Sequence, residues 1–312
     1  VFSRVEALSE LQREMLRRLP PISECQQIEW NINSICSDAE IAHNVMRALE
    51  TGFPEFCEQE PPNDRVVSIC GSAPSLADTC KDITGDVWAC NDAGWKLLDE
   101  GVVPKYWMIW DPQSPPAPGS PYYCLRKLHK DTTYLVASMC SPAVFERLRD
   151  YNVIIWHPYL GDMIPMEAWL AGWESPCRQL VGFDIEVPGY DAGVGRGTSA
   201  AVTRSCQFAP LMGYRTLHLH GADSSCKEGL IHFEDLESDR NGAQQLFSVW
   251  VGTTDLPLSR KPFVTTGQMY RQLEEFIPLV KSLMAEGVTV KVHGSGAIPW
   301  LAMLKGWHVN NV

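Results

Sequence analysis

From residue 65 onward the chain alternates short, unbroken apolar runs with stretches in which apolar positions recur every three or four residues. The runs at 65–70, 86–90, 106–110, 133–138, 153–157, 215–220 and 288–293 predict strands. The stretches at 76–82, 92–100, 121–129, 141–149, 199–212 and 267–286 predict helices. Most strand runs are continuous, not alternating, as expected where helices cover both faces of a sheet. Repeated strand–helix units of this spacing predict an α/β fold with a doubly wound, mostly parallel sheet and right-handed crossovers. In such a sheet, ligands sit beyond the carboxyl ends of the strands.

The remaining segments frame that domain. Residues 2–19 predict an amphipathic helix with Val5, Leu8, Leu11, Met15 and Leu19 on one side, stopped by Pro20 and Pro21. Ser37, Asp38, Ala39 and Glu40 fit a capping box that opens a helix to about Glu50. Residues 58–64 form a polar linker around Pro61 and Pro62. Residues 1–64 are therefore expected to be an N-terminal helical extension, packed on the main domain or on a partner chain as a homo-oligomer. Residues 65–312 form the catalytic or binding domain. The Pro- and Ser-rich stretch 112–121 reads as a loop. Residues 158–197, with Trp169, Trp173 and many Gly and Pro, read as a lid or substrate insertion. Residues 246–264 read as a small β excursion.

Composition narrows the partners. The 312 residues are 45% hydrophobic and 21% charged, an ordinary composition with ample material for a core. A formal charge of −12 disfavours broad phosphate contact on nucleic acid and leaves only a local basic groove open. It also disfavours an anionic membrane surface as partner. The 11 cysteines show no disulfide framework and no C-x-x-C pair, so a cysteine zinc site is not expected. No apolar run reaches the ~18 residues of a membrane span, and the N-terminus lacks a signal-peptide pattern. The expectation is a reducing, cytoplasmic compartment with no membrane partner.

The stretch 65–76, RVVSICGSAPSL, is the first with chemical content. A buried strand runs into a turn of small residues and then into a helix. Such a turn brings backbone N–H groups close to an anion, and the helix dipole adds to the attraction. Gly71 permits close approach, and Ser72 and Ser75 add hydroxyls. The turn is neither G-x-x-x-x-G-K-[ST] nor G-x-G-x-x-G, and a plain strand-to-helix turn would read the same way.

Other polar residues fall where strands end: Asn91 and Asp92, then Asp111, then Asp223, Ser224 and Ser225. Each alone could be a cap or turn residue; their common position at strand ends raises the functional reading. A second small-residue turn, 193–199, carries Gly197, Thr198 and Ser199 into a helix that Thr198 or Ser199 would cap, with a phosphate or carboxylate as a further ligand. His232, in a loop after Asp223, and His157, at a strand end, are candidate general bases, against the alternative of ordinary structural or surface histidines. His218 and His220 lie two apart on one strand and read as structural instead of metal-ligating. Asp92, Asp111 and Asp223 could hold Mg²⁺ at a phosphate. Asn91 or Asp111 could equally bind a ribose or base without metal.

The order I-C-G-S-A-P-S-L, A-C-N-D-A, the strand end at Asp111, Y-L-V-A-S-M-C-S-P, G-T-S-A-A-V and L-M-G-Y-R-T-L-H-L-H-G-A-D-S-S resembles a known domain family. It is shared by archaeal 6-hydroxymethylpterin diphosphokinases and by bacterial motility accessory factors, which are implicated in adding nonulosonic acids to flagellin. Versions also occur in phage genomes. The resemblance covers about residues 65 to 296 and implies a Rossmann-like nucleotide-binding domain. The same order is similar to bacterial sialyltransferases that use CMP-activated sugars. That likeness implies phosphate at the turn 71–75 and nucleotide at Asn91. Thr198 and Ser199 would line the donor pocket, Asp223 would lie beside the site, and His232 would be the base. The first turn departs from the family by carrying Ser72 and Ala73 where a second glycine is usual.

Three readings follow. The first is a glycosyltransferase using a nucleotide-activated sugar, CMP-linked in the leading case, with no cofactor required. The second is a diphosphokinase, in which ATP and Mg²⁺ sit at the same mouth and Asp92, Asp111 or Asp223 holds the metal. The third is a non-catalytic nucleotide-binding or assembly module. The acceptor is not identified by any of these residues. In a viral setting a modified nucleobase is conceivable, although the acidic composition does not favour it.

Overall fold

The computed structural model describes residues 36–57, 59–112, 123–160, 179–183, 200–228, 246–253 and 256–309, with single positions at 166, 170 and 230. The expected helix at 2–19 and most of the insertion 158–197 lie outside the described residues. Among the described residues the strands are β1 (Val66–Cys70), β2 (Asp86–Cys90), β3 (Tyr106–Ile109), β4 (Thr133–Ala137), β5 (Asn152–Pro158), β6 (Leu180–Val181), β7 (Thr216–His220), β8 (Phe247–Thr253), β9 (Leu256–Thr265) and β10 (Thr289–Val292). The helices are α1 (Asp38–Leu49), α2 (Ser75–Thr79), α3 (Ala93–Asp99), α4 (Pro142–Arg147), α5 (Ala201–Phe208), α6 (Gly267–Ala285) and α7 (Ala297–Lys305).

Eight strands form one parallel sheet in the order β10-β7-β1-β2-β3-β4-β5-β6. The fold is the expected Rossmann-like α/β arrangement. The chain moves outward from β1 to β6 and then returns to lay β7 against the other side of β1. The order therefore reverses between β1 and β7, which makes that pair the topological switch point. β8 and β9 form a separate antiparallel hairpin at the expected β excursion. Trp300 of α7 donates its indole N–H to the Ser259 carbonyl of this hairpin at 2.9 Å.

The continuous apolar runs are explained by burial on both faces. Val67, Ile69, Trp88, Ala89, Leu135 and Val136 are all fully buried. Phe208 of α5 is the hub on one face. Its ring lies 5.4 Å from Trp88, 5.5 Å from Trp156 and 4.7 Å from Phe56, in edge or tilted contacts favourable for aromatic pairs.

The described part of the N-terminal extension is joined to this domain. Ser37 Oγ accepts the Glu40 N–H at 3.3 Å, and the Glu40 carboxylate accepts the Ser37 N–H at 2.7 Å, so the capping box forms. Ile41, Val45 and Ala48 of α1 face the core. Asn44 donates to the Met139 carbonyl at 3.0 Å, just beyond β4. The Phe56 N–H donates to Ile155 and the Ile155 N–H to Pro54, so this segment runs beside β5. The stretch read as a polar linker is pinned too: the Glu60 N–H donates to Leu211 and the Asn63 N–H to Gly213, each at 2.8 Å.

Two elements differ from expectation. The stretch 121–129 holds a short 3-10 turn at Tyr123–Leu125 in place of a helix. Its side chains engage α3 instead: the Arg126 guanidinium lies 3.1 Å from the Trp95 ring centroid, and Lys127 pairs with Asp99 at 2.6 Å. Helix α7 was not expected, because AIPWLAMLK is apolar nearly all round and shows no helical stripe.

Candidate functional site

At the switch point the turns after β1 and β7 touch backbone to backbone. The Gly71 N–H donates to the His220 carbonyl at 2.8 Å, and the Ala73 N–H to the Gly221 carbonyl at 3.2 Å. A Cβ on Gly71 would collide with the Gly221 oxygen and would sit 2.6 Å from Val202 Cγ2. A Cβ on Gly221, whose φ is 60°, would collide with the Gly71 oxygen in return. Three segments thus converge on Gly71: the turn after β1, the turn after β7 and the first turn of α5.

Asp223 locks this arrangement. It is 1% exposed, and its carboxylate accepts both the Ser75 N–H, at 2.9 Å, and the Ser75 hydroxyl. Its own carbonyl accepts the Ala297 and Ile298 N–H groups, so the same residue serves the first turns of α2 and α7. Burial pushes the Asp223 carboxyl up to about 7, against the downward pull of the two Ser75 hydrogen bonds. Ser224, in the left-handed region at φ 49°, donates to Gln272 of α6 at 2.8 Å. Ser225 Oγ accepts the Ala297 N–H at 3.1 Å. The amides of Gly71, Ala73 and Ser75 are therefore spent on anchoring the turn to the β7 side. Ser72, half-buried, is the turn's other hydroxyl.

The next strand ends carry the expected polar residues. Asn91, at φ 45°, accepts the Trp110 N–H on its side-chain Oδ1 at 3.1 Å and the Trp107 indole N–H on its carbonyl at 2.7 Å. It thereby stitches the end of β2 to that of β3, and Nδ2 is the donor end of the same amide. Asp92 is buried at the start of α3, and Asp111 is half-buried just after β3. Gly71, Asn91 and Asp111 occupy three successive strand ends, spaced by roughly 4.8 Å per strand.

His157 is not brought to this place. It lies on β5, four strands from β1, a separation of about 19 Å at ~4.8 Å per strand. It is fully buried, and its Nε2 sits 2.7 Å from the Glu55 carboxylate. Burial lowers its pKa, with Glu55 opposing. Gly197, Thr198, Ser199 and His232 lie outside the described residues. Helix α5 begins later than expected, with Ala200 at the N-cap and no side-chain cap in place of Thr198 or Ser199. Val202 in its first turn lies against Gly71.

Sequence reasoning passed over a buried charge group. Arg204 of α5 is 1% exposed, donates to the Val181 carbonyl at 3.1 Å and lies 5.0 Å from the Trp110 ring centroid. Burial lowers its pKa to about 10, and Glu275 works in the opposite direction. Glu275 also accepts from Arg271 Nε at 2.9 Å, one turn away on α6. Two buried guanidinium groups thus lie in the field of one buried carboxylate. The available signal was Arg204 itself, the only charge in the run 199–212. Among the described residues, Asp92, Asp111 and Asp223 do not gather into a group that could share an ion, whereas His218, His220 and His293 do.

The chain matches no family model and no curated protein. Among solved structures it is similar to the MAf glycosyltransferase of Magnetospirillum magneticum AMB-1, with a TM-score of 0.52 at 15% identity over 82% of this chain. The aligned region is 36% of that protein, so this chain spans little more than a third of its length. At this identity the likeness is one of fold. The sialyltransferase CstII of Campylobacter jejuni, solved with cytidine-5′-monophosphate, aligns over 79% of this chain and 84% of its own at 12% identity. Its TM-score is 0.27, too low to establish a shared fold.

Proposed function

We propose that the protein is a glycosyltransferase that uses a nucleotide-activated sugar, with a CMP-linked donor as the first candidate. The observation that carries this reading is the convergence at Gly71 of the β1 turn, the β7 turn and the first turn of α5. It lies at the switch point of a fold that a glycosyltransferase also adopts. Fold alone does not give function. The choice of CMP rests on the motif order from 69 to 225.

In this reading the donor phosphate lies over the turn at Ser72, with Thr198 and Ser199 on the segment leading into α5. The Asn91 amide and Asp111 face the nucleoside from the neighbouring strand ends. Asp223 and Ser75 keep the turn rigid, which pre-organises the donors that meet the departing phosphate. The acceptor hydroxyl attacks the anomeric carbon, the bond from that carbon to the phosphate oxygen breaks, and His232 takes the hydroxyl proton.

Calorimetric titration of the protein with CMP, UDP, GDP and ATP, with and without Mg²⁺, tests the reading. Metal-independent CMP binding supports it. ATP binding that requires Mg²⁺ would instead favour pyrophosphate transfer, with Asp92 or Asp111 on the metal. No binding to any nucleotide would leave a non-catalytic module.

A further inference from the structure

His218 and His220 occupy alternate positions on β7 and so share one face of the sheet. His293 follows β10 directly. Val292 pairs with Leu219, and the His293 N–H donates to the Leu219 carbonyl at 2.8 Å, which sets His293 beside His220. The His220 and His293 rings stack with centroids 4.2 Å apart and planes 14° from parallel. His293 Nε2 lies 3.2 Å from His218 Nδ1. One ring nitrogen from each of the three lies within 4.8 Å of the other two.

The burial of these rings is what calls for a ligand. His220 is fully buried, and neither of its ring nitrogens has a partner among the described residues. His293 Nδ1 is buried in the same condition. A neutral imidazole carries one donor and one acceptor, and leaving either unmet in the interior is costly. Stacked rings cannot satisfy each other's in-plane nitrogens. A cation that takes one lone pair from each ring supplies a partner for one of the two His220 nitrogens.

We propose that His218, His220 and His293 form a three-imidazole site for a divalent transition-metal ion, with Zn²⁺ as the best match. Nitrogen donors select this class over Mg²⁺ and Ca²⁺, which prefer oxygen. With Zn–N bonds of about 2.0–2.1 Å, tetrahedral ligand nitrogens lie about 3.3 Å apart. His293 Nε2 and His218 Nδ1, 3.2 Å apart, already have that separation, and a ring nitrogen of His220 lies within 4.8 Å of the ligand nitrogens of the other two. Asp82 supplies negative charge near His293, while Lys291 and His308 act against it. The loop at Gly294, next to His293, packs on Ser75 of α2. His218 is only half-buried, so an ion enters from its side. Three protein ligands leave a fourth position for water or another small ligand.

The experiment is titration of chelator-treated, full-length protein with Zn²⁺, followed by Co²⁺ absorption spectroscopy. The expected result is one Zn²⁺ per chain and a tetrahedral Co²⁺ spectrum without a thiolate charge-transfer band. His218→Gln and His293→Gln should each weaken binding by at least the about 10–100-fold that loss of an outer-shell partner costs. Both variants and the parent should melt cooperatively without metal. Absence of stoichiometric binding by the parent overturns the site. So does a thiolate band, which would put the ion on cysteines, or affinity unchanged in both variants. Should His293→Gln fail to fold, the half-exposed His218 variant carries the decision.

Discussion

Asp223 and Ser75 stand 148 positions apart in the chain, yet the Asp223 carboxylate accepts both the backbone N–H and the hydroxyl of Ser75. The acceptor that Ser75 meets is thus one of the protein's own carboxyl groups, held in place by the return of the chain to β7. This clasp closes the floor of the switch point. Losing the Ser75 hydroxyl leaves one carboxylate oxygen buried without that donor. Ser75→Ala should therefore destabilise by about 1–3 kcal/mol, read as a lower urea midpoint. An unchanged midpoint would mean that the clasp contributes nothing.

The same clasp sets a pH dependence. The Asp223 carboxyl ionises near pH 7 when folded, well above its ordinary value of 3.8. Lys227 lowers it and Asp78 raises it, both secondary to burial. Between these two values the unfolded chain is ionised there and the folded chain is protonated. Folding is thus favoured at the acid end and loses stability as pH rises toward 7, by at most about 1.4 kcal/mol per pH unit from this group. Urea midpoints of the parent and of Asp223→Asn, compared across this range, should show that slope only in the parent. Identical slopes would place the titration elsewhere.

Gly71→Ala puts a methyl group against the Gly221 carbonyl and Val202, and the backbone contact cannot yield cheaply. The expected cost is about 1–3 kcal/mol, as for other overpacked sites. Nucleotide affinity should fall with it, because the turn must move. Calorimetry on the folded variant checks this, and full affinity would separate the turn from the ligand.

Glu275 stabilises two buried arginines. Glu275→Gln removes the carboxylate that accepts from Arg271 Nε and acts on Arg204, a broken buried ion pair that should cost about 3–5 kcal/mol. Thermal melting of this variant beside Arg271→Met would show whether the penalty comes from the unpaired charge. Equal losses in both would argue against that.

The two candidate bases are separable. His232→Ala should lower turnover by about 10²–10⁴-fold, the usual contribution of a general base, with donor affinity retained. His157→Gln breaks the pairing with Glu55 and should lower the melting temperature while donor affinity holds, since β5 is four strands from Gly71. Steady-state kinetics with a CMP-linked donor decides. Full activity in the His232 variant would return the search to other residues.

Much of the architecture was written locally. Unbroken apolar runs such as 66–70 and 133–137 declare strands covered on both faces, because burial on both sides removes any polar alternation. Ser37 and Glu40 declare a helix start, because the reciprocal capping bonds join residues three apart. Gly71, Asn91 and Asp111 could be placed at strand ends, since each follows its strand within two residues. The helix read at 121–129 is a short 3-10 turn instead, and its Arg126 and Lys127 meet α3, which lies earlier in the chain.

What the sequence by itself determined was therefore the kind and order of most of the described elements, which depend on hydrogen bonds and burial among near neighbours. Only the tertiary structure decided which strand β7 would join. With that decision came the inward aim of Asp223, the mutual contact of Gly71 and Gly221, and the distance of His157 from the switch point. It also joined His220 to His293 and set Arg204 in the field of Glu275. These relationships link residues tens to more than a hundred positions apart. They arise from the packing of whole faces, which no local pattern records.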